Sequence, residues 1–186
     1  MGEVSILEMN NNRKIAENVN SKPNQCPVSA ALKIRFAREE ELEQVNKLRK
    51  QVNDLHVAGK PDVFKSGFSD ELRDYIFAIW VDPQKEIVVA EREGTVCGFA
   101  ILNHIIRPEN PYMYERNFLD IDEFGVDESC RRQGIASAMI RFIRDYAREK
   151  GYCRLELNMW EFNRDALAFY EAAGFATYRR YMEMNP

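Results

Sequence analysis

The stretch Leu119-Asp120-Ile121-Asp122-Glu123-Phe124-Gly125-Val126-Asp127-Glu128-Ser129-Cys130-Arg131-Arg132-Gln133-Gly134-Ile135-Ala136-Ser137 reads as a strand that turns into a helix. Beyond it, Ile135, Ala138, Met139, Phe142, Ile143, Tyr146 and Ala147 recur at three- and four-residue steps, one apolar stripe at helical period. Gly151 follows as the stop, with Arg148 and Lys150 in the last turn where the helix dipole favours cations. The turn ahead of this helix carries two fixed positive charges, Arg131 and Arg132, then the small residues Gly134 and Ala136. A helix N-terminus leaves about four backbone N–H groups unpaired and carries roughly half a positive charge. With no bulky side chain in the way, an anion can reach those amides directly. The predicted cradle is Arg131, Arg132, Gln133, Gly134, Ile135, Ala136 and Ser137, suited to a pyrophosphate.

The sequence after Gly151 extends the pattern. Leu155, Leu157 and Met159 alternate as in a strand. Asn163 to Gly174 then reads as a short helix, capped at Asn163 and stopped at Gly174, and a further strand is expected after it. The order is strand, anion turn, helix, strand, capped helix, strand. Over residues 32–186 the chain resembles the GNAT superfamily of acyl-CoA-dependent N-acetyltransferases. Arg131, Gly134 and Ala136 match its phosphate signature. Asn163, Ala166, Tyr170, Gly174 and Phe175 match its distal signature, at the family's separation.

That resemblance implies an α/β fold of the GNAT type. Its mixed central sheet would be splayed between the strands at 119–126 and 154–160 and flanked by helices. It implies acetyl-CoA as co-substrate and an amine acceptor. Tyr170 falls where the family keeps the tyrosine that protonates the leaving thiolate. Asn163 would orient the pantetheine arm, and Phe124, Gly125 and Val126 would pair with that arm like an added strand. Family members often carry a base on this strand, commonly acting through water, and Asp122 and Glu123 are the candidates. Alternation places Asp120, Asp122 and Phe124 on one face and Ile121, Glu123 and Gly125 on the other. The Asp122-Glu123 pair and Glu161, after Trp160, resemble acids of the diamine and polyamine acetyltransferases. Asn158 stands where ribosomal-protein acetyltransferases favour glutamate. A small cationic amine is therefore the favoured acceptor. A protein or peptide acceptor, and a non-catalytic acyl-CoA sensor, are the alternatives.

Composition bounds the rest. A chain of 186 residues, 45% hydrophobic and 30% charged, builds one substantial core. A net charge of −4 disfavours a nucleic-acid partner, and no apolar run reaches the ~18 residues that span a bilayer. Cys26, Cys97, Cys130 and Cys153 lack C-x-x-C spacing and only two histidines occur, which disfavours zinc and leaves reduced thiols as the expectation. Without a signal-like apolar core at the N-terminus, a cytoplasmic enzyme is expected; a homodimer is left open. Residues 1–31, rich in Asn, Ser and Lys, read as a flexible or loosely docked extension, and the domain as 32–186. Leu32–Phe36 alternates as a strand, Leu42 to Leu55 repeats as a helix, and Glu86–Glu91 and Thr95–Leu102 pair around Glu93-Gly94. His56 to Trp80 is broken by turn signals; the family places a loop and second helix there, beside the acceptor. His56 is a further candidate for acceptor binding or proton transfer.

Overall fold

The five strands lie within or across the stretches read as strands in the sequence, and the two longest helices form where it repeats at three and four. The computed structural model describes residues 31–184 and residue 186; the expected extension over 1–31 lies almost wholly outside the described residues. The strands are β1 (Lys33–Phe36), β2 (Lys85–Arg92), β3 (Thr95–Arg107), β4 (Arg116–Val126) and β5 (Arg154–Leu157). The helices are α1 (Leu42–Gly59), α2 (Asp70–Val81), α3 (Ile135–Glu149) and α4 (Arg164–Ala172). One mixed sheet runs β1-β2-β3-β4-β5, antiparallel except for the parallel pair β4 and β5. The β2–β3 hairpin turns at Glu93 and Gly94, both at positive φ, as a tight two-residue turn requires.

Both faces of the sheet are covered, which explains the unbroken apolar run Ile87-Val88-Val89-Ala90 in β2. Val88, Leu102, Leu119 and Ile121 pack on one side with Ile135, Met139 and Ile143 of α3. Val89, Phe99 and Ile101 pack on the other with Val45 and Leu48 of α1 and Ile76 and Ile79 of α2. Helix α2 is the element the turn signals obscured. Ser69 caps it by accepting from the Leu72 N–H.

Strict alternation along β4 does not hold. Ile101 pairs with Glu123 and Leu102 with Ile121, so Asp122 is an extra residue, a β-bulge. The bulge reverses the parity of everything after it. Ile121 and Phe124 both join the α3-side core, whereas Asp120, Glu123 and Gly125 pair with Asn103, Ile101 and Phe99 and face the α1 side. Gly125 is required there by packing, since a Cβ would lie 2.7 Å from the Phe99 ring and 2.9 Å from Val52.

Two expected strand features differ. β5 ends at Leu157 instead of residue 160. Past it the chain turns its rings toward the end of α1, with Trp160 against Phe64 and Phe162 filling the space beside Gly59. No strand follows Gly174 within residues 175–184. That segment is held by side chains, through Tyr178 donating to Glu156 at 2.7 Å and Lys60 pairing with Glu183 at 2.9 Å. Among the described residues Cys97 and Cys153 are free thiols, the first buried and the second exposed.

The entry to α1 holds a buried charge cluster. The Glu41 carboxylate, 2% exposed, accepts from both Arg35 guanidinium nitrogens at 2.8 and 2.6 Å. It also accepts from the Arg38 backbone N–H at 2.8 Å and Arg38 Nη2 at 2.9 Å. The Arg35 bonds, foremost, hold its pKa down at about 2. A depressed carboxylate stabilises the fold fully above its unfolded value, about 4.3, and loses that contribution as pH falls toward 2. The shift corresponds to about 3 kcal/mol. Glu41→Gln is expected to lower stability by about 2–3 kcal/mol at pH 7. In urea titrations the gap to wild type should close between about pH 4.5 and 2. A gap that is constant with pH would show that the carboxylate charge contributes nothing.

Candidate active site

The parallel ladder between β4 and β5 runs only from Phe118–Arg154 to Ile121–Leu157. Beyond those residues β4 continues to Val126, still paired to β3, with its other edge unpartnered by β5. The expected splay is therefore present and opens four residues earlier on β4 than its end. It leads into a cavity of about 1250 Å³. Ile121 to Val126, the start of α3, one face of α4 and the second half of α1 line it.

The anion end is formed by the turn before α3. Gly134 is the N-cap at φ 77° and Arg132 also has a positive φ, 60°. Two left-handed residues so close together curl the backbone toward a common centre. The first helical bond runs from the Ala138 N–H to the Gly134 carbonyl, so the amides of Ile135, Ala136 and Ser137 have no intrahelical acceptor. No acidic residue occupies the first turn of α3. Arg131, Arg132, Gly134, Ile135, Ala136 and Ser137 all line the cavity. Gln133 does not; its Oε1 accepts from Arg92 Nη1 at 2.6 Å and its amide reaches the Ser129 carbonyl. Nothing lies within 4 Å of where a Cβ on Gly134 would sit, and this open, amide-lined, cationic end suits a phosphorylated ligand.

Helix α1 braces that turn. Gln51 donates to Asp127 at 3.0 Å and accepts from the Glu128 N–H at 3.1 Å. Arg131 Nε donates to the Val126 carbonyl at 3.3 Å, tying the cradle to the end of the open strand edge.

Helix α4 supplies Asn163 and Tyr170 to the cavity wall. Asn163 is the N-cap, its side-chain oxygen accepting from the Ala166 N–H at 3.2 Å. The Tyr170 ring stands edge-on to Phe124 at 6.2 Å and to Phe175 at 5.6 Å. Burial pushes its pKa up to about 12, so the phenol keeps its proton throughout the neutral range.

The acids have separate environments. Glu123 is forked by Arg49, with Nε to Oε2 at 2.9 Å and Nη2 to Oε1 at 3.0 Å. Asp122 lines the cavity from the bulge, exposed, 3.8 Å from Lys85 Nζ. Asp120 does not line the cavity. Burial raises its pKa while Asn103 donates to it. Glu161 also stays outside the cavity, bonded to Arg164 at 2.8 Å.

Arg49 is the residue that motif reasoning missed. It lies on the buried stripe of α1, four residues after Val45 and seven after Leu42, so a charge at an apolar position was the available signal. Phe68 and Trp160 were missed as walls of the cavity. His56, already a candidate, lines the same cavity, its ring stacked on Phe64 at 4.9 Å.

Among the described residues no group of His, Cys, Asp or Glu is placed to hold a metal ion, and no helix is long and apolar enough to cross a membrane. Residues 49–175 match the model of the Acetyltransferase (GNAT) family. Human N-acetyltransferase 8 is 33% identical over 87 residues, 47% of this chain and 37% of that protein. Mycothiol acetyltransferase of Segniliparus rotundus is 25% identical over 109 residues, 59% of this chain and 40% of that one. The chain spans between 37% and 56% of the length of these and related curated proteins. Among solved structures, a point mutant of the BH1408 protein of Bacillus halodurans superposes with a TM-score of 0.79 at 26% identity, over 83% of this chain and 99% of that one. The CoA complex of the aminoglycoside N-acetyltransferase AAC(6')-Iy superposes at 0.66 with 20% identity, over 87% and 98%. A splayed mixed sheet, a cationic N-terminal turn on α3 and a family match across 49–175 converge on one conclusion: the chain belongs to the acetyltransferase (GNAT) family.

Proposed function

We propose that the domain over residues 32–186 transfers the acetyl group of acetyl-CoA to a primary amine. One observation carries this reading: the unpaired α3 amides, the open β4 edge and Tyr170 line a single cavity. Arg131, Arg132 and the amides of Ile135, Ala136 and Ser137 take the pyrophosphate of the co-substrate. The backbone at Phe124, Gly125 and Val126 pairs with the pantetheine amides, and Asn163 orients the same arm. Direct attack by the amine on the thioester then expels a thiolate, and Tyr170, neutral at working pH, donates a proton as charge develops on sulfur. The acceptor class best supported is a small cationic amine. Asp122 gives the acceptor end negative charge, and the exposed ring of Trp160 presents a face that attracts cations.

An acceptor screen with thiol detection tests the reading. Diamines, polyamines, amino sugars, amino acids and peptide N-termini are each incubated with acetyl-CoA, and CoA release is followed. Turnover is expected to be highest with the small cationic amines. Highest turnover with peptides would replace that acceptor class. Tight acetyl-CoA binding by calorimetry with no release above hydrolysis for any amine would make the domain an acyl-CoA sensor instead.

A further inference from the structure

The attacking amine must also lose a proton, and the strand carboxylates are poorly placed to receive it. Both oxygens of Glu123 are engaged by the Arg49 fork. The remaining nitrogen of that guanidinium donates to Asn46 Oδ1 at 3.0 Å and the Leu72 carbonyl at 2.8 Å. Arg49 is 5% exposed, so withdrawing Glu123 would leave a nearly buried cation without its counter-ion. Asp122 stands exposed on its bulge beside Lys85. Carboxylates as a class titrate near about 4 and are weak bases for this task, whereas imidazole titrates near about 6.5.

We propose that His56 is the general base of this acetyl transfer, an inference that rests on the acetyl-transfer reading above. His56 lines the cavity shared by Tyr170 and the β4 edge. Its ring is fixed by stacking on Phe64 at 4.9 Å and by an edge contact with Phe162 at 6.3 Å, and Phe64 in turn meets Trp160 at 5.2 Å. A ring so held between two aromatic neighbours has its orientation restricted at the cavity wall. Asp122 and Glu123 of β4, Asp165 and Tyr170 of α4, Tyr181 of the C-terminal segment and Arg49 of its own helix line the same cavity. Lys60, at the end of that helix, is taken by Glu183. Burial is the larger influence on His56 and lowers its pKa; the charge of Glu123 partly opposes this. At neutral pH the imidazole is therefore uncharged and has a lone pair to offer.

The step balances without a co-reactant. The amine lone pair forms the bond to the thioester carbonyl carbon, and the carbon–sulfur bond breaks with its electron pair moving to sulfur. The proton on the amine nitrogen passes to His56, and sulfur takes a proton from Tyr170. Solvent returns His56 and Tyr170 to their starting states.

The test is the pH dependence of kcat/KM for the best amine of the acceptor screen, measured by CoA release. Wild type is expected to lose activity on acidification through one ionisation below about pH 6.5. His56→Gln should lower kcat/KM about 10²–10⁴-fold at neutral pH and remove that acid limb, with acetyl-CoA affinity by calorimetry unchanged. Glu123→Gln should keep the limb and move it to lower pH, because the charge favouring the imidazolium is gone. NMR titration gives a readout independent of turnover. The chain has only two histidines, so H56Q assigns the His56 signal, which is expected to titrate below about 6.5. A limb that survives in H56Q, or one that vanishes in E123Q, overturns the inference while leaving acetyl transfer standing. A His56 signal whose titration midpoint does not coincide with the acid limb overturns it as well. Absence of amine-dependent release from wild type overturns acetyl transfer, and this inference with it.

Discussion

Gly134→Glu is expected to weaken acetyl-CoA binding at least about 100-fold in calorimetric titration. The position is the N-cap of α3, at φ 77°, open to the cavity and adjacent to amides without helical partners. A carboxylate placed there meets the phosphates it would exclude. One like-charge pair at about 4 Å costs about 4 kcal/mol at an effective dielectric of 20, and each 1.4 kcal/mol is about tenfold in affinity. The substitution also forces an L side chain into a left-handed conformation, at about 1–2 kcal/mol of stability. Gly134→Ala carries the same backbone strain without the charge. Its melting temperature should fall comparably while its acetyl-CoA affinity changes less than about tenfold. A folded Glu variant with unchanged affinity would remove the cradle from this turn.

Tyr170→Phe is expected to slow acetyl transfer about 10²–10⁴-fold under conditions where chemistry limits turnover. The ring and its contacts with Phe124, Phe169 and Phe175 are retained, so stability and acetyl-CoA affinity should hold. Burial raises the phenol to about 12, which keeps it protonated but makes it a weak acid. Its contribution is therefore greatest when negative charge has accumulated on sulfur. A donor whose leaving thiol is more acidic needs less of that help, and the deficit should shrink with it. Wild-type rates in the variant would refute the role. Equal losses with both donors would assign Tyr170 to positioning, and weaker cofactor binding would assign it to anchoring.

The elements of this chain were legible because their signals are local. The α3 stripe, the Gly134 turn, the Asn163 cap and the Glu93-Gly94 hairpin are each written within a few residues, where backbone geometry and period decide the outcome. The family resemblance drew on the same local spacing, and the splay of β4 from β5 followed from it. What period could not supply was the arrangement of the cavity end away from the α3 turn. The bulge at Asp122 arises from pairing with β3, and it alone decides that Glu123 faces α1. The Arg49–Glu123 fork joins residues 74 positions apart, and no helical or strand repeat records such a pair. Likewise β5 stops at Leu157 because Trp160 and Phe162 find rings and space at the end of α1. That packing also brings His56 to the cavity wall. The sequence by itself determined where the chain bends, caps and alternates, since those depend on neighbours along the backbone. Which carboxylate is neutralised, and which rings line the cavity, depended on neighbours in space, and only the tertiary structure decided them.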